Sequence, residues 1–156
     1  MSVLNVTLKK RQAFYLCGYN KETSLETCGK EISQLWRDYD AKKDELFDIY
    51  GCKKDFYGLI WSSSHTGYYN YLIGIEISNI THSPKETICK HIPETIYAVS
   101  HVPVSMSAFD AWTEYYEKTL PNAGYTPDKE HGFNFEYYPA GSKSDYELWT
   151  PILREL

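Results

Sequence analysis

A glutamate stands within an aromatic stretch of the sequence, FNFEYY at positions 133–138. Glu136 has aromatic neighbours on both sides and lies away from any turn signal. A carboxylate enclosed by aromatic rings either takes up a proton or attracts a cation, and the ring faces attract the same cation through their quadrupole. The pattern therefore predicts a pocket for flat, delocalised organic cations.

Side chains alternate along a strand, so FNFEYY presents two faces: Asn134, Glu136 and Tyr138 on one, and Phe133, Phe135 and Tyr137 on the other. We expect the following strand, YELWTPI, to bring Trp149 close to Glu136, with Glu147 as a second candidate neighbour. The alternative interpretation is an ordinary solvated glutamate, which the mid-strand position and the aromatic company argue against.

The composition is that of a globular protein. The 156 residues suit one domain, with 42% hydrophobic and 24% charged residues. The 15 tyrosines are unusual, and tyrosine suits both cores and pocket walls. A net charge of −5 with short basic runs disfavours nucleic acid binding and favours cationic partners.

The cysteines and histidines give no metal-site pattern. Cys17, Cys28, Cys52 and Cys89 form no C-x-x-C pair, and no secretory signal precedes them, so we expect reduced thiols in a cytoplasmic protein. Cys89-x-His91 with His82 matches no zinc spacing. We expect no metal, cofactor or catalytic residue, and no apolar run reaches the ~20 residues of a membrane helix.

Two segments of the chain resemble each other at an offset of 76 residues. SQLWRDY (33–39) aligns with FDAWTEY (109–115), which superimposes Trp36 on Trp112. The same offset places YGLIW (57–61) on FNFEY (133–137), so Ile60 is the counterpart of Glu136. This order predicts a duplicated unit, one half covering about 1–80 and the other about 88–156 of a single domain 1–156.

Each half is predicted to contain a strand, a helix and two further strands. A capping-box pattern at Thr23 predicts the start of the first helix, and Ser107-x-x-Asp110 predicts the start of the second, which Gly124 ends. Between the halves, SPKET (83–87) is expected to be a loop. Trp36 and Trp112 are expected to pack in the core, with a pocket wall as the less favoured alternative.

The order of these elements, with the phrases YYNYLIGIEI, IPETIYAVSHVP, LPNAGY, FNFEYYP and ELWTPI, resembles the GyrI-like small-molecule-binding domain. That domain also forms the effector half of multidrug-sensing regulators of the AraC and MerR types. The resemblance covers nearly the whole chain. It implies an α+β fold of two β-α-β-β units, related by a pseudo-two-fold axis, with an antiparallel sheet and a central groove for lipophilic, often cationic compounds.

The resemblance also suggests site residues. The acidic residue of the family matches Glu136, the aromatic residue of its last strand matches Trp149, and a tyrosine of the first half matches Tyr71. Further neighbours by position are Trp61, Tyr68, Tyr137 and Tyr138, and the strand face that lines the groove is left open. The regulators carry a helix-turn-helix before this domain, whereas about twenty strand-like residues precede the first helix here, so we expect a standalone form.

Three functions fit these observations. The favoured one is a binding module, a sink or sensor for aromatic, cationic small molecules. The second is a hydrolase that detoxifies reactive compounds, with Glu136 as general base and Glu147 as its helper. The third is a protein-interaction module such as a topoisomerase inhibitor. Since no nucleophile–base pair is apparent, binding is preferred over catalysis.

Overall fold

The protein is an α+β protein, seen in a computed structural model that describes residues 3–50, 55–78, 84–139 and 145–153. The strands are β1 (Thr7–Arg11), β2 (Phe14–Ser24), β3 (Phe56–Ser62), β4 (Tyr68–Ile77), β5 (Thr87–Ile92), β6 (Thr95–Val102), β7 (Phe133–Tyr138) and β8 (Tyr146–Pro151). The first helix is α1 (Cys28–Tyr50). The second helical segment consists of α2 (Ala108–Glu114), a π-helical turn (Tyr115–Thr119) and α3 (Leu120–Ala123).

The eight strands form one antiparallel sheet in the order β1-β6-β8-β7-β3-β4-β2-β5. The predicted α+β class and antiparallel sheet are therefore confirmed. Each edge strand pairs with a strand far from it in sequence, because β1 adds to β6 and β5 adds to β2. β3 and β7 meet at the middle of the sheet, with Gly58 opposite Glu136.

The sheet is strongly curved. β1 lies at one edge and β2 lies next to the other edge, yet only two residues join them, and so short a link spans at most about 11 Å. The rings of Phe14 on β2 and Phe135 on β7 approach to 5.8 Å although β3 and β4 lie between their strands. The concave face so formed encloses a core of its own: Phe14, Leu16, Tyr57, Leu59, Leu72, Ile92, Tyr97, Val99, Phe135 and Trp149.

The opposite face carries the helices. α1 packs on β2, β3 and β4 through Leu35, Tyr39 and Leu46, whereas the second helical segment packs on β6 and β8 through Ala111, Tyr115 and Leu120. Between these two cores, the middle strands of the sheet face a space that both helices border. In the part of the chain that the structure describes, no helix is long and apolar enough to cross a membrane.

The second helical segment begins and ends as the sequence predicts. Ser107 caps it by accepting the backbone N–H of Asp110 at 3.2 Å, and Gly124 ends it in the left-handed conformation with φ 78°. The wide π-helical turn in its middle was not predicted. A π-helical turn contains one residue more than the hydrogen-bonded turn of an α-helix. Such turns are frequent at functional sites.

Two predicted boundaries are wrong. The first helix begins at Cys28 and not at Thr23, because β2 continues to pair with β4 as far as Ser24. The segment that follows SPKET is strand β5 rather than a plain connection, since Thr87–Ile92 pair with β2. Of the residues named in the sequence analysis, Cys52, His82 and residue 83 lie outside the described part of the chain.

Candidate functional site

A cavity of about 770 Å³ lies between the two helices, over the middle strands of the sheet. Strands β4, β3 and β7 form its floor, and α1, α2 and the π-helical turn form its sides. Its lining residues are Leu25, Cys28, Gly29, Ile32, Ser33, Trp36, Ile60, Tyr69, Tyr71, Ala108, Phe109, Trp112, Thr113, Tyr116, Glu117, Asn134, Glu136 and Tyr138. This size is within the usual range for small-molecule sites.

Glu136 is the acid on the cavity floor, and only 2% of its surface is exposed. Its Oε1 accepts hydrogen bonds from the phenols of Tyr71 at 2.5 Å and Tyr138 at 2.8 Å. Its Oε2 accepts the indole N–H of Trp112 at 2.7 Å. The carboxyl group is thus buried but supplied with donors from β4, β7 and α2, which hold it in place.

Opposing effects act on the pKa of Glu136. Burial raises the pKa above the ordinary carboxyl value, and the hydrogen bonds from Tyr71, Trp112 and Tyr138 partly offset this. The pKa values of the Tyr71 and Tyr138 phenols are raised by burial and then by the nearby charge of Glu136, so both phenols stay protonated and keep donating. A cation placed beside the carboxylate would favour its ionised form.

The sides of the cavity are aromatic. Trp112 and Tyr116 stack at 5.6 Å on one side, and Trp36 meets the ring of Tyr138 edge-on at 5.5 Å on the other. The π-helical turn brings Tyr116 to the cavity, where it accepts from Asn134 and approaches Thr150 at 3.0 Å. These rings offer faces and edges to a flat or aryl-bearing ligand.

The charge of the cavity is acidic. Among its described lining residues, Glu136 and Glu117 are acidic, and none is a lysine, arginine or histidine. A buried carboxylate that no basic side chain of the wall neutralises favours a positively charged ligand. Within the described residues, no group of three or more potential metal ligands is found.

The structure brings three of the seven predicted site residues together in this cavity: Glu136, Tyr71 and Tyr138. Three others, Trp149, Tyr137 and Trp61, lie on the concave face of the sheet, with or against the core there. Tyr68 lies at the start of β4 and is 51% exposed. The face that lines the cavity, left open by the sequence, is the face of Glu136.

The expectation that β8 brings Trp149 close to Glu136 is wrong. Trp149 is paired with Phe135, and Glu136 is paired with Leu148. Because paired residues share a face, Trp149 stacks on Phe135 at 5.4 Å on the concave side. Glu147 pairs with Tyr137 and lies on that side too, where it accepts the indole N–H of Trp149.

The two helix tryptophans pack against the cores, as expected, and they also form walls of the cavity. Trp36 and Trp112 are half-buried and both line the cavity. They lie on the side of each helix that faces the open middle of the sheet, beside the residues that pack on the strands. Their alignment at the 76-residue offset was the signal that could have identified them, together with the contrast between Ile60 and Glu136 beneath them.

Known proteins share the sequence pattern and the fold of this chain. A family model described as integron-associated effector-binding protein matches residues 7–152. The chain belongs to this family. Its effector-binding character and the predicted resemblance to GyrI-like domains are thereby confirmed. No curated protein sequence matches the chain significantly.

Solved structures with the same fold include other proteins of this kind. An integron cassette protein from Vibrio cholerae superimposes with a TM-score of 0.71 at 15% identity, covering 97% of this chain and 99% of that one. SAV2435 bound to tetraphenylphosphonium superimposes with a TM-score of 0.74 at 16% identity, covering 96% and 94%. The C-terminal domain of EcmrR gives 0.66 at 10% identity, covering 98% and 99%. At these identities the likeness shows the fold alone.

Proposed function

We propose that this effector-binding protein binds lipophilic aromatic cations in the cavity between its helices, with Glu136 as the partner of the positive charge. The observation that carries the proposal is a carboxyl group buried among aromatic rings, with no basic side chain among the described lining residues. That SAV2435, a structural relative, is bound to tetraphenylphosphonium supports the same ligand class.

The hydrogen-bond network favours a delocalised charge. Three donors already occupy the Glu136 carboxyl group. A compact ammonium ion would have to displace a donor or share its place to form its own short hydrogen bonds. A phosphonium or an extended aromatic cation needs no such bond and gains from the faces of Trp36, Trp112 and Tyr138.

We also propose that the two halves of the chain are repeats and that the cavity lies on their pseudo-two-fold axis. The 76-residue offset places β3 on β7 and β4 on β8. From the centre outward, the strand orders β3-β4-β2 and β7-β8-β6 correspond. On this basis Ile60 and Glu136 are equivalent floor positions, and the acid makes one half of the cavity different from the other.

The binding test is a calorimetric titration with tetraphenylphosphonium, followed by the same titration with tetraphenylborate. We expect saturable binding of the cation in the micromolar range and little binding of the anion, which has the same shape. Glu136→Gln should weaken cation binding by about tenfold or more, which corresponds to about 1.4 kcal/mol, because the cation loses its buried opposite charge.

Glu147→Gln is the matched control, because that carboxylate lies on the neighbouring strand but on the concave face. Its cation affinity should stay within about twofold of wild type. Equal affinity for both ions, or an unchanged affinity in Glu136→Gln, would contradict the proposal. Turnover of a reactive electrophile that disappears in Glu136→Gln would instead support the hydrolase alternative.

Cys28 provides a readout that does not involve the acid. Its thiol lies at the start of α1 in the cavity wall and is partly exposed. We expect tetraphenylphosphonium to slow alkylation of Cys28, located by peptide mass mapping, while the rate at Cys89 on the edge strand β5 stays unchanged. Equal rates at Cys28 with and without ligand would place the ligand elsewhere.

A further inference from the structure

Tyr71 and Glu136 form their hydrogen bond across a third strand. Tyr71 is on β4 and Glu136 is on β7, and β3 lies between them. Adjacent strands are ~4.8 Å apart, so the phenol must reach over β3 to meet the carboxyl group. The residue of β3 that pairs with Glu136 is Gly58.

Gly58 has no room for a side chain. A Cβ atom built at this position would lie 2.2 Å from Oη of Tyr71, 2.8 Å from its Cζ and 2.7 Å from Oε1 of Glu136. These three atoms belong to the two hydrogen-bond partners, whose oxygens are 2.5 Å apart. The space that a methyl group would fill is the space through which the phenol reaches the acid.

We propose that Gly58 is a positioning residue of the binding site, whose missing side chain lets Tyr71 hold Glu136 in the orientation that receives a cation. That Glu136 receives a cation rests on the proposed function, whereas the relationship between Gly58, Tyr71 and Glu136 rests on geometry. At the equivalent position of the other half, by the 76-residue offset, stands Asn134, a residue with a side chain. The gap through which a phenol can cross the middle strand therefore exists only in the half of the site that faces the acid, among the residues that the structure describes.

Other titratable groups also face this part of the cavity. Phenols come from β4, β7 and the π-helical turn, a thiol comes from α1, and a second carboxylate also comes from the π-helical turn: Tyr69, Tyr71, Tyr138, Tyr116, Cys28 and Glu117. Burial raises the pKa of Tyr69 and of Tyr116, so both are neutral at physiological pH. The phenols at this part of the cavity therefore stay neutral between pH 4 and 8.

The first test needs no ligand. The carboxyl ¹³C shift of Glu136 is followed against pH in protein labelled at glutamate. Gly58→Ala should displace Tyr71 and raise the titration midpoint, as Tyr71→Phe should by removing the donor. The double variant should raise it no further than Tyr71→Phe alone, since both changes remove the same hydrogen bond.

One control is matched to these changes. Tyr57→Phe removes a phenol from the neighbouring position of β3, on the concave face, and should leave the Glu136 midpoint unchanged. A folded Gly58→Ala protein with the wild-type midpoint overturns the proposal.

The second test connects Gly58 to binding. Near the wild-type midpoint, Gly58→Ala should weaken tetraphenylphosphonium binding about three- to tenfold, and most of this loss should disappear two pH units higher, where the carboxyl group is ionised in both proteins. A loss that is equal at all pH values indicates a general distortion and overturns the positioning role. If wild type binds no cation but the midpoint still shifts, the proposed function fails while the Gly58–Tyr71 relationship stands.

Gly58→Ala could fail to fold for reasons of backbone packing, and a further pair of variants covers that outcome. Replacing the ring in Tyr71→Leu removes Oη and Cζ, two of the three atoms that the added Cβ would meet, and leaves Oε1 of Glu136. Gly58→Ala should then lower the melting temperature far less in the Tyr71→Leu protein than in wild type. An equal loss in both backgrounds overturns the proposal.

Discussion

Trp112 donates its indole N–H to Oε2 of Glu136 at 2.7 Å, which joins helix α2 to strand β7 at the carboxyl group. Trp36, at the matching position of α1, meets its neighbours Phe56 and Tyr138 edge-on through its ring. The two tryptophans therefore enclose the cavity from both sides, but the acid is bonded to one of them. The α2 side is the polar side of the cavity.

Replacing Trp112 by phenylalanine should separate the hydrogen bond from the aromatic wall. The variant keeps a ring but removes one donor to Glu136, so the carboxylate becomes less stable and its affinity for tetraphenylphosphonium at neutral pH should fall about three- to tenfold. Isothermal titration calorimetry measures this. Trp36→Phe is the control, and its pH dependence of binding should stay that of wild type. If Trp112→Phe and Trp36→Phe showed the same pH dependence of binding, the role of the indole N–H group would be contradicted.

Cation binding should become stronger as pH rises. Burial raises the pKa of Glu136 above its ordinary value of 4.5, so the acid is neutral over a wider range at low pH than an exposed glutamate. Affinity for tetraphenylphosphonium should rise through that pKa and then level off, whereas Glu136→Gln should give a flat profile. A flat wild-type profile between pH 4 and 8 would show that the ionised acid does not control binding.

The same pKa has a consequence for stability. Because the folded protein binds the Glu136 proton more tightly than the unfolded chain does, this group contributes stability that is fully present below about pH 4.5 and lost as pH rises through the folded pKa. The free energy of unfolding of Glu136→Gln relative to wild type should therefore increase with pH across this window. Urea unfolding at several pH values measures it.

Arg11 should stabilise the curvature of the sheet. Its Nη2 donates to Oε1 of Glu76 at 2.7 Å and to Oη of Tyr57 at 3.1 Å, and its guanidinium carbon lies 3.6 Å from the centre of the Phe14 ring. Arg11→Ala should lower the free energy of unfolding by about 2 kcal/mol. Lys10→Ala, which breaks the exposed 3.2 Å pair with Glu94, should cost under about 0.5 kcal/mol. Equal losses of unfolding free energy in Arg11→Ala and Lys10→Ala would contradict this role of Arg11.

Cys17 should resist alkylation in the folded protein. Burial, together with the thiol of Cys89 across the β2–β5 pair, raises the pKa of Cys17 to about 12. Since the thiolate is the reactive species, iodoacetamide at pH 8 should modify Cys17 much more slowly than Cys28, as followed by peptide mass mapping. Rapid labelling of Cys17 without unfolding would mean that β5 opens readily from the sheet edge.

Local signals in the sequence predicted local structure. Ser107 and Gly124 marked the ends of the second helical segment because caps depend on neighbouring residues. The two faces of FNFEYY followed from strand alternation, and Glu136 with Asn134 and Tyr138 does line the cavity. Where a prediction from local signals was wrong, strand pairing had determined the structure instead. The helix pattern at Thr23 was overridden by pairing with Tyr69.

Contacts between residues that lie far apart in the sequence could not be predicted from it. Trp149 looked like a neighbour of Glu136, but the register of β7 and β8 put it on the other face. Gly58 gave no signal in the sequence, because its importance comes from a phenol that crosses it from another strand. Curvature likewise depends on the sheet as a whole, so the concave core could not be derived from any one strand.

The pairing of β1 with β6 affects how the protein is made. β1 leaves the ribosome before its partner β6, which follows ~90 residues later. At a synthesis rate of about 5–20 residues per second, the first strand waits roughly 5–20 s before it can join the sheet. The exposed lysines of β1 suit such a wait, because charged side chains on an unpaired strand discourage pairing with other nascent chains.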